Sequence, residues 1–355
     1  MTNWYLSLLG LSIFALLIQL QTCNQAHAYP TTVREGYAGK CASCHVSPSG
    51  GGVLTEYGRA FADEMATWAY EGEGRLLHKI DQPKDLLFGG DTRWVNYTSK
   101  SRATGDRSKI MVMQADLEIA LAPIKDLWLV GTVGKYNEDD KYEHRRYYLL
   151  LNLSEHLLFR AGLFHPRMGI QHPDHRLSIS PRQGSETYNA EATYTAKNFS
   201  LTLAALGNQE HRIRAAGKEG FKTDTHPGFG VVGSTFMDTF ELGTYHHRRT
   251  AMVDTGVFAS AGWGDVYLLS ELRRHQDLPG LLSTIYYGEM GYGVLPGLDV
   301  YVRAQGRKAQ EESSGYTVGL NWLPRPHWQW LVEVERVIME GAYVDGFMVM
   351  GHYNL

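Results

Sequence analysis

The residues that could do chemistry in this chain are concentrated in Cys41-Ala42-Ser43-Cys44-His45. Two thiols three positions apart, with a histidine directly after the second, form the attachment signature of a c-type haem. One turn of chain offers both sulfurs to the porphyrin vinyl groups, and the next residue offers an imidazole to the iron. Two other chemistries use paired cysteines. A zinc site needs further Cys or His ligands at matching spacing, and the one remaining cysteine, Cys23, lies upstream in a segment of signal-peptide character. A thioredoxin-like pair belongs at a strand-to-helix junction of a βαβ chain, and the pattern here is not of that kind. The haem reading leads.

On that reading Cys41 and Cys44 hold one covalent haem c and His45 is the proximal iron ligand. Met65 and His78 are the downstream candidates for the sixth position. Met65 also fits as a core methionine and His78, beside Lys79, as plain surface; a histidine from elsewhere, or an open position, completes the alternatives. Tyr57 and Arg59 are candidates to hold the haem propionates, since a guanidinium matches a carboxylate fork. Their plainer reading is a solvated helix face.

Three segments must position these residues. Residues 1–28 read as a signal peptide: Leu6 to Leu20 is an apolar run of the right length, and Ala26-His27-Ala28 is a small-x-small cleavage site. No Lys or Arg precedes Arg34, so an uncleaved anchor helix is the competing reading. Export agrees with the haem, because bacterial c-type attachment takes place outside the inner membrane. Residues 29–83 form the monohaem segment. After the flexible Pro48-Ser49-Gly50-Gly51-Gly52, Leu54, Tyr57, Gly58, Phe61, Met65 and Trp68 follow helical spacing. A domain this small is marginal alone, so the segment is expected to lean on the rest of the chain.

From residue 84 the apolar period falls to two. Met111, Met113, Ala115, Leu117, Ile119 and Leu121 alternate with Val112, Gln114, Asp116, Glu118 and Ala120. Leu298, Val300, Val302 and Ala304 do the same against Asp299, Tyr301, Arg303 and Gln305. Sixteen candidate strands are expected: 84–97, 108–121, 126–136, 143–153, 156–164, 186–195, 199–207, 227–236, 239–247, 251–262, 265–273, 281–293, 298–307, 314–322, 328–338 and 343–355. Tight turns alternate with longer loops, which is how an outer-membrane barrel is built. The connections 248–250 and 339–342 are short where a loop is due. The 38 glycines, 41 aromatics and charge of −4 fit such a barrel, and with no basic block they argue against a nucleic-acid partner. Long apolar runs stop after residue 22, which excludes a helical membrane bundle.

The fold class expected is therefore all-β, a transmembrane antiparallel barrel of about sixteen strands with a small helical N-terminal cytochrome segment as plug, in the outer membrane with both termini periplasmic. Phe347, Val349, Gly351, Tyr353 and Leu355 resemble the terminal strand signal of such barrels, with Leu in place of the usual final Phe. Trp128, Trp322, Trp328, Tyr136, Tyr287 and Tyr292 are girdle candidates. Asp116, Glu118, Glu271, Arg273, Arg303, Glu333 and Glu335 are expected on the inner wall, hydrating it or bracing a plug. In the 165–185 loop, His165, His172 and His175 with Asp174 could bind a metal ion or bring an imidazole near the haem; a loop folded back over the lumen is the preferred alternative. Glu138, Asp139 and Asp140 read as a solvated acidic loop, and His246-His247-Arg248-Arg249 as a surface tip.

The signal peptide, one Cys-x-x-Cys-His near the mature N-terminus, the glycine-rich turn, Tyr57-Gly58-Arg59 and the barrel-like body together resemble the fused monohaem cytochrome–porin proteins of iron-oxidising bacteria. That resemblance implies electron passage across the outer membrane through one haem housed in a barrel, between an extracellular donor or acceptor (iron in that family) and periplasmic c-type cytochromes. A diffusion porin gated by a haem-stabilised plug and a haem peroxidase or sensor are the other classes. The sequence carries no nucleophile elbow, phosphate loop or zinc helix motif. It reads as an electron carrier rather than an enzyme, at most an oxidoreductase acting on metal ions.

Overall fold

Strand pairing accounts for nearly all of the backbone in the computed structural model, which describes residues 41–47, 53–55, 57–58, 83–101, 105–136, 143–170, 187–215, 218–224, 227–250, 252–277, 280–309, 312–325, 328–339 and 342–354. Among the described residues are the helical turn α1 (Cys41–Cys44), two further helical residues, Tyr57 and Gly58, and seventeen strands. They are β1 (Leu86–Ser101), β2 (Arg107–Ile124), β3 (Leu127–Tyr136), β4 (Glu143–Asn152), β5 (Leu157–Phe164), β6 (Thr187–Ala196), β7 (Phe199–Ala215), β8 (Lys218–Asp224) and β9 (Gly228–Met237). Then come β10 (Phe240–Arg249), β11 (Met252–Trp263), β12 (Val266–Asp277), β13 (Leu281–Leu295), β14 (Leu298–Lys308), β15 (Ser313–Arg325), β16 (Trp328–Met339) and β17 (Ala342–Asn354). Every pairing is antiparallel, consecutive strands are neighbours except β8 and β9, and β1 pairs both β2 and β17. The sheet closes on itself. β8 pairs only with the far half of β7, whose first half pairs β9, so sixteen strands make the closed ring.

The polarity of this barrel is inverted relative to a water-soluble protein. On β15, Tyr316 and Val318 are exposed while Thr317 and Asn321 are buried; on β14, Val300 and Val302 are exposed while Asp299 and Arg303 are buried. Leu117, Ile119, Leu203, Leu242, Leu268, Leu272 and Val334 continue the exposed apolar surface around the ring. An apolar face of this extent would not be left in water, and a closed barrel satisfies every backbone group without an edge, so this surface faces lipid. Among the described residues no helix is long and apolar enough to cross a membrane; the strands do the crossing. Placing a charge in the lipid band should be costly. Val318→Arg, at a position 63% exposed in mid-strand, is expected to lower unfolding stability in lipid by about 2–4 kcal/mol. Denaturant titration of the refolded barrel would measure it, with Thr317→Ala on the inner face as the comparison.

One rim carries the tight turns, with Asp126, Gly264 and Gly297 in the left-handed conformation such turns need. β1 begins at this rim, where Ala122 N–H donates to Asp85 O, and β17 ends there, with Tyr353 opposite Trp328. The longer connections lie at the other rim. The short links at 248–250 and 339–342 are hairpins of that second rim, since Arg248 pairs Val253 and Met339 pairs Ala342, and the count of sixteen stands.

Four expectations are corrected. Part of the supposed 208–226 loop is strand: β7 runs on to Ala215 and β8 folds back along it. A bulge opposite Arg93 and Trp94 leaves Met113 without a partner on β1 and reverses the phase of β2, so Met113 is buried with Val95, Met348 and Met350 instead of facing lipid, with Met111 packed beside them. Tyr287 is buried on the inner wall with Tyr267 and Tyr301, and Trp128 packs inward on an inner cluster, so neither is a girdle residue. Trp328 and Tyr292 are outward as expected. Finally, His246 to Arg249 is not a tip but the end of β10, with His247 and Arg249 buried on the inner wall.

Candidate functional site: the Cys44–Val53 segment and the lumen loop

The site is built from three pieces of chain inside the barrel: residues 41–47, residues 53–55 with 57–58, and residues 165–170. The first is the segment that begins with α1. A single helical turn puts positions i and i+3 on one side, which is the arrangement needed for two sulfurs to reach one planar group. His45 follows at once and forms an antiparallel bridge with Leu54. Val46 N–H donates to Val53 O at 3.0 Å and Thr55 N–H to Cys44 O at 2.9 Å, so residues 44–47 and 53–55 form a miniature ladder. The Thr55 hydroxyl donates to Ser43 O at 3.1 Å and accepts Gly58 N–H at 3.0 Å. Gly58 is there for space: a side chain would run into the Cys44 carbonyl.

The ladder is docked on the barrel. Cys44 is 4% exposed and Val53 0%. Val46 and Val53 share an apolar cluster with Leu87, Ala120, Val130, Tyr148, Leu150 and Phe164 from β1 to β5. Val53 Cα lies against Gly89, where a Cβ would sit at 3.0 Å. Two charged wall residues complete the docking. Glu118 accepts Val53 N–H at 2.7 Å, is bonded by the Thr132 hydroxyl and pairs with Arg146 at 3.3 Å. Arg160, 2% exposed, donates to Ser47 Oγ at 3.2 Å. Glu118, one of the charged residues expected inside, thus braces the N-terminal segment directly.

The third piece is the start of the β5–β6 connection. Residues 165–170 turn into the lumen, as the folded-back reading required. Arg167 N–H donates to Glu191 Oε1 at 2.9 Å, its guanidinium reaches Ser200 Oγ at 3.1 Å and Glu241 at 3.6 Å, and Ile170 N–H donates to Glu271 Oε2 at 2.8 Å. Met168 and Ile170 pack on Val232, Tyr245 and Phe258 of the opposite wall. His165 lies at the base of this loop. His172 and His175 lie outside the described residues, as do Arg59, Met65, His78 and residues 138–140, and the Cys41 side chain is not described. Tyr57 is half exposed. Among the described residues no three His, Cys, Asp or Glu side chains converge on a metal position.

Elsewhere on the inner wall, arginine and tyrosine side chains meet buried carboxylates. Arg303 binds Glu289 at 2.8 Å and Glu333 at 3.2 Å, while Tyr267 and Tyr287 donate to Glu289 and Tyr301 to Glu333. Tyr245 donates to Glu271 at 2.8 Å and Tyr97 to Glu335 at 2.8 Å. Nearer the tight-turn rim, Asp91 pairs Arg93 at 2.6 Å and His352 at 3.0 Å. Asp116, Glu118, Glu271, Arg273, Arg303 and Glu333 are all buried, as expected of the inner wall.

Sequence reasoning missed Arg160, Glu191, Ser47 and Tyr148. A signal for the first was present: Arg160 is the one charge in the apolar strand Leu157 to Phe164, at an inward position, and a charge in such a run must find a buried partner. That partner, Glu191, is at 2.7 Å.

No family model and no curated protein matches this chain. Solved structures do. The outer membrane channel DcaP of Acinetobacter baumannii superposes with a TM-score of 0.57 at 11% identity, over 77% of this chain and 99% of that one. OmpF of Salmonella typhi gives 0.56 at 11%, over 76% and 98%, and an anion-selective porin from Comamonas acidovorans gives 0.56 at 10%, over 76% and 99%. The class is therefore set by fold: this is a porin-like, outer-membrane-type closed barrel of sixteen antiparallel strands. At these identities the likeness extends to the fold alone.

Proposed function

We propose that the protein is an outer-membrane electron-transfer protein in which residues 29–83 form a monohaem cytochrome plug for the barrel 84–355, with both termini periplasmic. The observation that carries this reading is the docking of the Cys44–Val53 segment on the inner wall, held by Glu118, Arg160 and an apolar cluster from five strands. The described residues are compatible with the group: Cys44 closes the helical turn that begins at Cys41, His45 follows directly, and Gly58 leaves the backbone room. Cys41 and Cys44 would hold the haem as thioethers and His45 would ligate the iron. Tyr57 and Arg59 would meet the propionates, and Met65 or His78 is the candidate sixth ligand. Bound there, the group supplies reversible one-electron chemistry at iron. The chain's own part is to fix the attachment site, keep Cys44 out of water, and surround it with an insulating wall. One such centre does not cover the whole thickness of a membrane, so periplasmic c-type cytochromes and an extracellular donor or acceptor, iron among the candidates, complete the path.

A second reading, a porin gated by this segment, draws on the loop at 165–170 and on the fold shared with channels. The absorption spectrum of the purified protein separates the classes. A six-coordinate low-spin haem bound through two thioethers supports the carrier. A five-coordinate haem supports ligand chemistry, and no covalent haem at all refutes the proposal.

A further inference from the structure

Arg160 does more than dock the N-terminal segment on the wall. Its guanidinium lies over the Phe164 ring at 3.8 Å and near the Tyr148 ring at 5.5 Å, in a site where a lone cation would be costly. From there it makes contacts in three directions. Nη1 donates to Ser47 Oγ of the N-terminal segment at 3.2 Å, Nη2 to Glu191 Oε2 at 2.7 Å, and Nη2 also approaches the His165 carbonyl at the base of the lumen loop at 3.5 Å. The second oxygen of Glu191 takes the backbone N–H of Arg167 at 2.9 Å. Ser47, Arg160, Glu191 and Arg167 therefore form one continuous chain of hydrogen bonds, in which both Arg160 and Glu191 are 2% exposed. It joins the segment on the tight-turn side to a loop that belongs to the other rim.

A buried chain of this kind transmits displacement. If the loop lifts, Glu191 loses one of its two fixed donors and turns, and the arginine it anchors must follow. The same bonds read backwards give the reverse effect, because coupling between two sites is reciprocal. We propose that Arg160 is a positioning residue that couples the Cys44–Val53 segment to the lumen loop, so that a molecule engaging the loop from the long-loop side alters the setting of the haem-attachment site. The redox consequence rests on the function proposed above; the mechanical coupling does not.

The test uses the full-length protein in detergent or lipid with two readouts. One is the midpoint potential of the haem. The other is the reaction rate of a cysteine placed by Met168→Cys with a charged thiol reagent, compared with the parent. Arg167→Ala, which alters the loop's anchorage and touches no residue of the segment, is expected to shift the potential. Ser47→Ala, remote from the loop, is expected to raise the labelling rate at position 168 several-fold. Both cross-effects should disappear in an Arg160→Lys background, where the charge opposite Glu191 remains but the fork that bridges to Ser47 is lost. Cross-effects that are absent, or that persist unchanged with Arg160→Lys, overturn the coupling. If the protein carries no haem, the function proposed above fails while the labelling arm still decides the coupling.

Discussion

On the function proposed above, Cys44→Ala is expected to abolish retained haem while leaving a barrel that folds and inserts. The two halves of this result have separate physical origins. Thioether attachment needs both sulfurs on the turn of α1, and the mutation removes the one that is buried against the wall. The barrel depends on its sixteen-strand ladder, on its lipid-facing surface and on inner-wall ion pairs, none of which includes Cys44. The measurement is haem absorbance per protein after denaturing electrophoresis, with the folded barrel scored by its heat-dependent mobility. Haem at the wild-type level in this variant would refute the assignment of the site.

Arg303→Ala is expected to destabilise the barrel by about 3–5 kcal/mol, the cost of leaving a buried charge without its partner. Arg303 bridges Glu289 and Glu333, and all three side chains are almost fully buried. Tyrosine hydroxyls stay on both carboxylates, but a neutral donor does not replace a cation. Restoring neutrality with Glu289→Gln and Glu333→Gln in the same variant should recover most of the loss, since a fully neutral wall carries no unpaired charge. Denaturant titration of the three proteins checks this. A loss under 1 kcal/mol would mean that water screens this part of the lumen.

Most of the barrel was legible from residue 84 onward because a lipid-facing strand must alternate. Leu298 to Ala304 reads the same on paper and in the barrel, and the strand ends agree to within a few residues wherever a tight turn follows. The exceptions share a cause: each is a place where alternation is weak or broken. β8 and the far half of β7, with Glu210, Arg212, Arg214, Lys218, Glu219 and Lys222, carry no apolar stripe at two-residue spacing. At Met113 a bulge shifts the phase, which a two-residue period cannot reveal. His247 and Arg249 look like a tip because charged runs normally are; here β10 continues to its hairpin and carries them inward.

For the candidate site, the sequence marks which residues to look at and not what surrounds them. Cys41, Cys44 and His45 stand out by type and spacing, and the inward loop after Phe164 was foreseen in outline. Which wall residues receive them was not, because Glu118, Arg160 and Glu191 meet Ser47, Val53 and Arg167 across separations no local pattern encodes.

Electron passage is tested most directly in vesicles that enclose an oxidised dye, with the purified protein inserted and a membrane-impermeant reductant added outside. Dye reduction that depends on the protein, is lost in Cys44→Ala and occurs without leakage of small solutes is the predicted result. Leakage of solutes with no haem-dependent reduction would contradict it and make the barrel a channel.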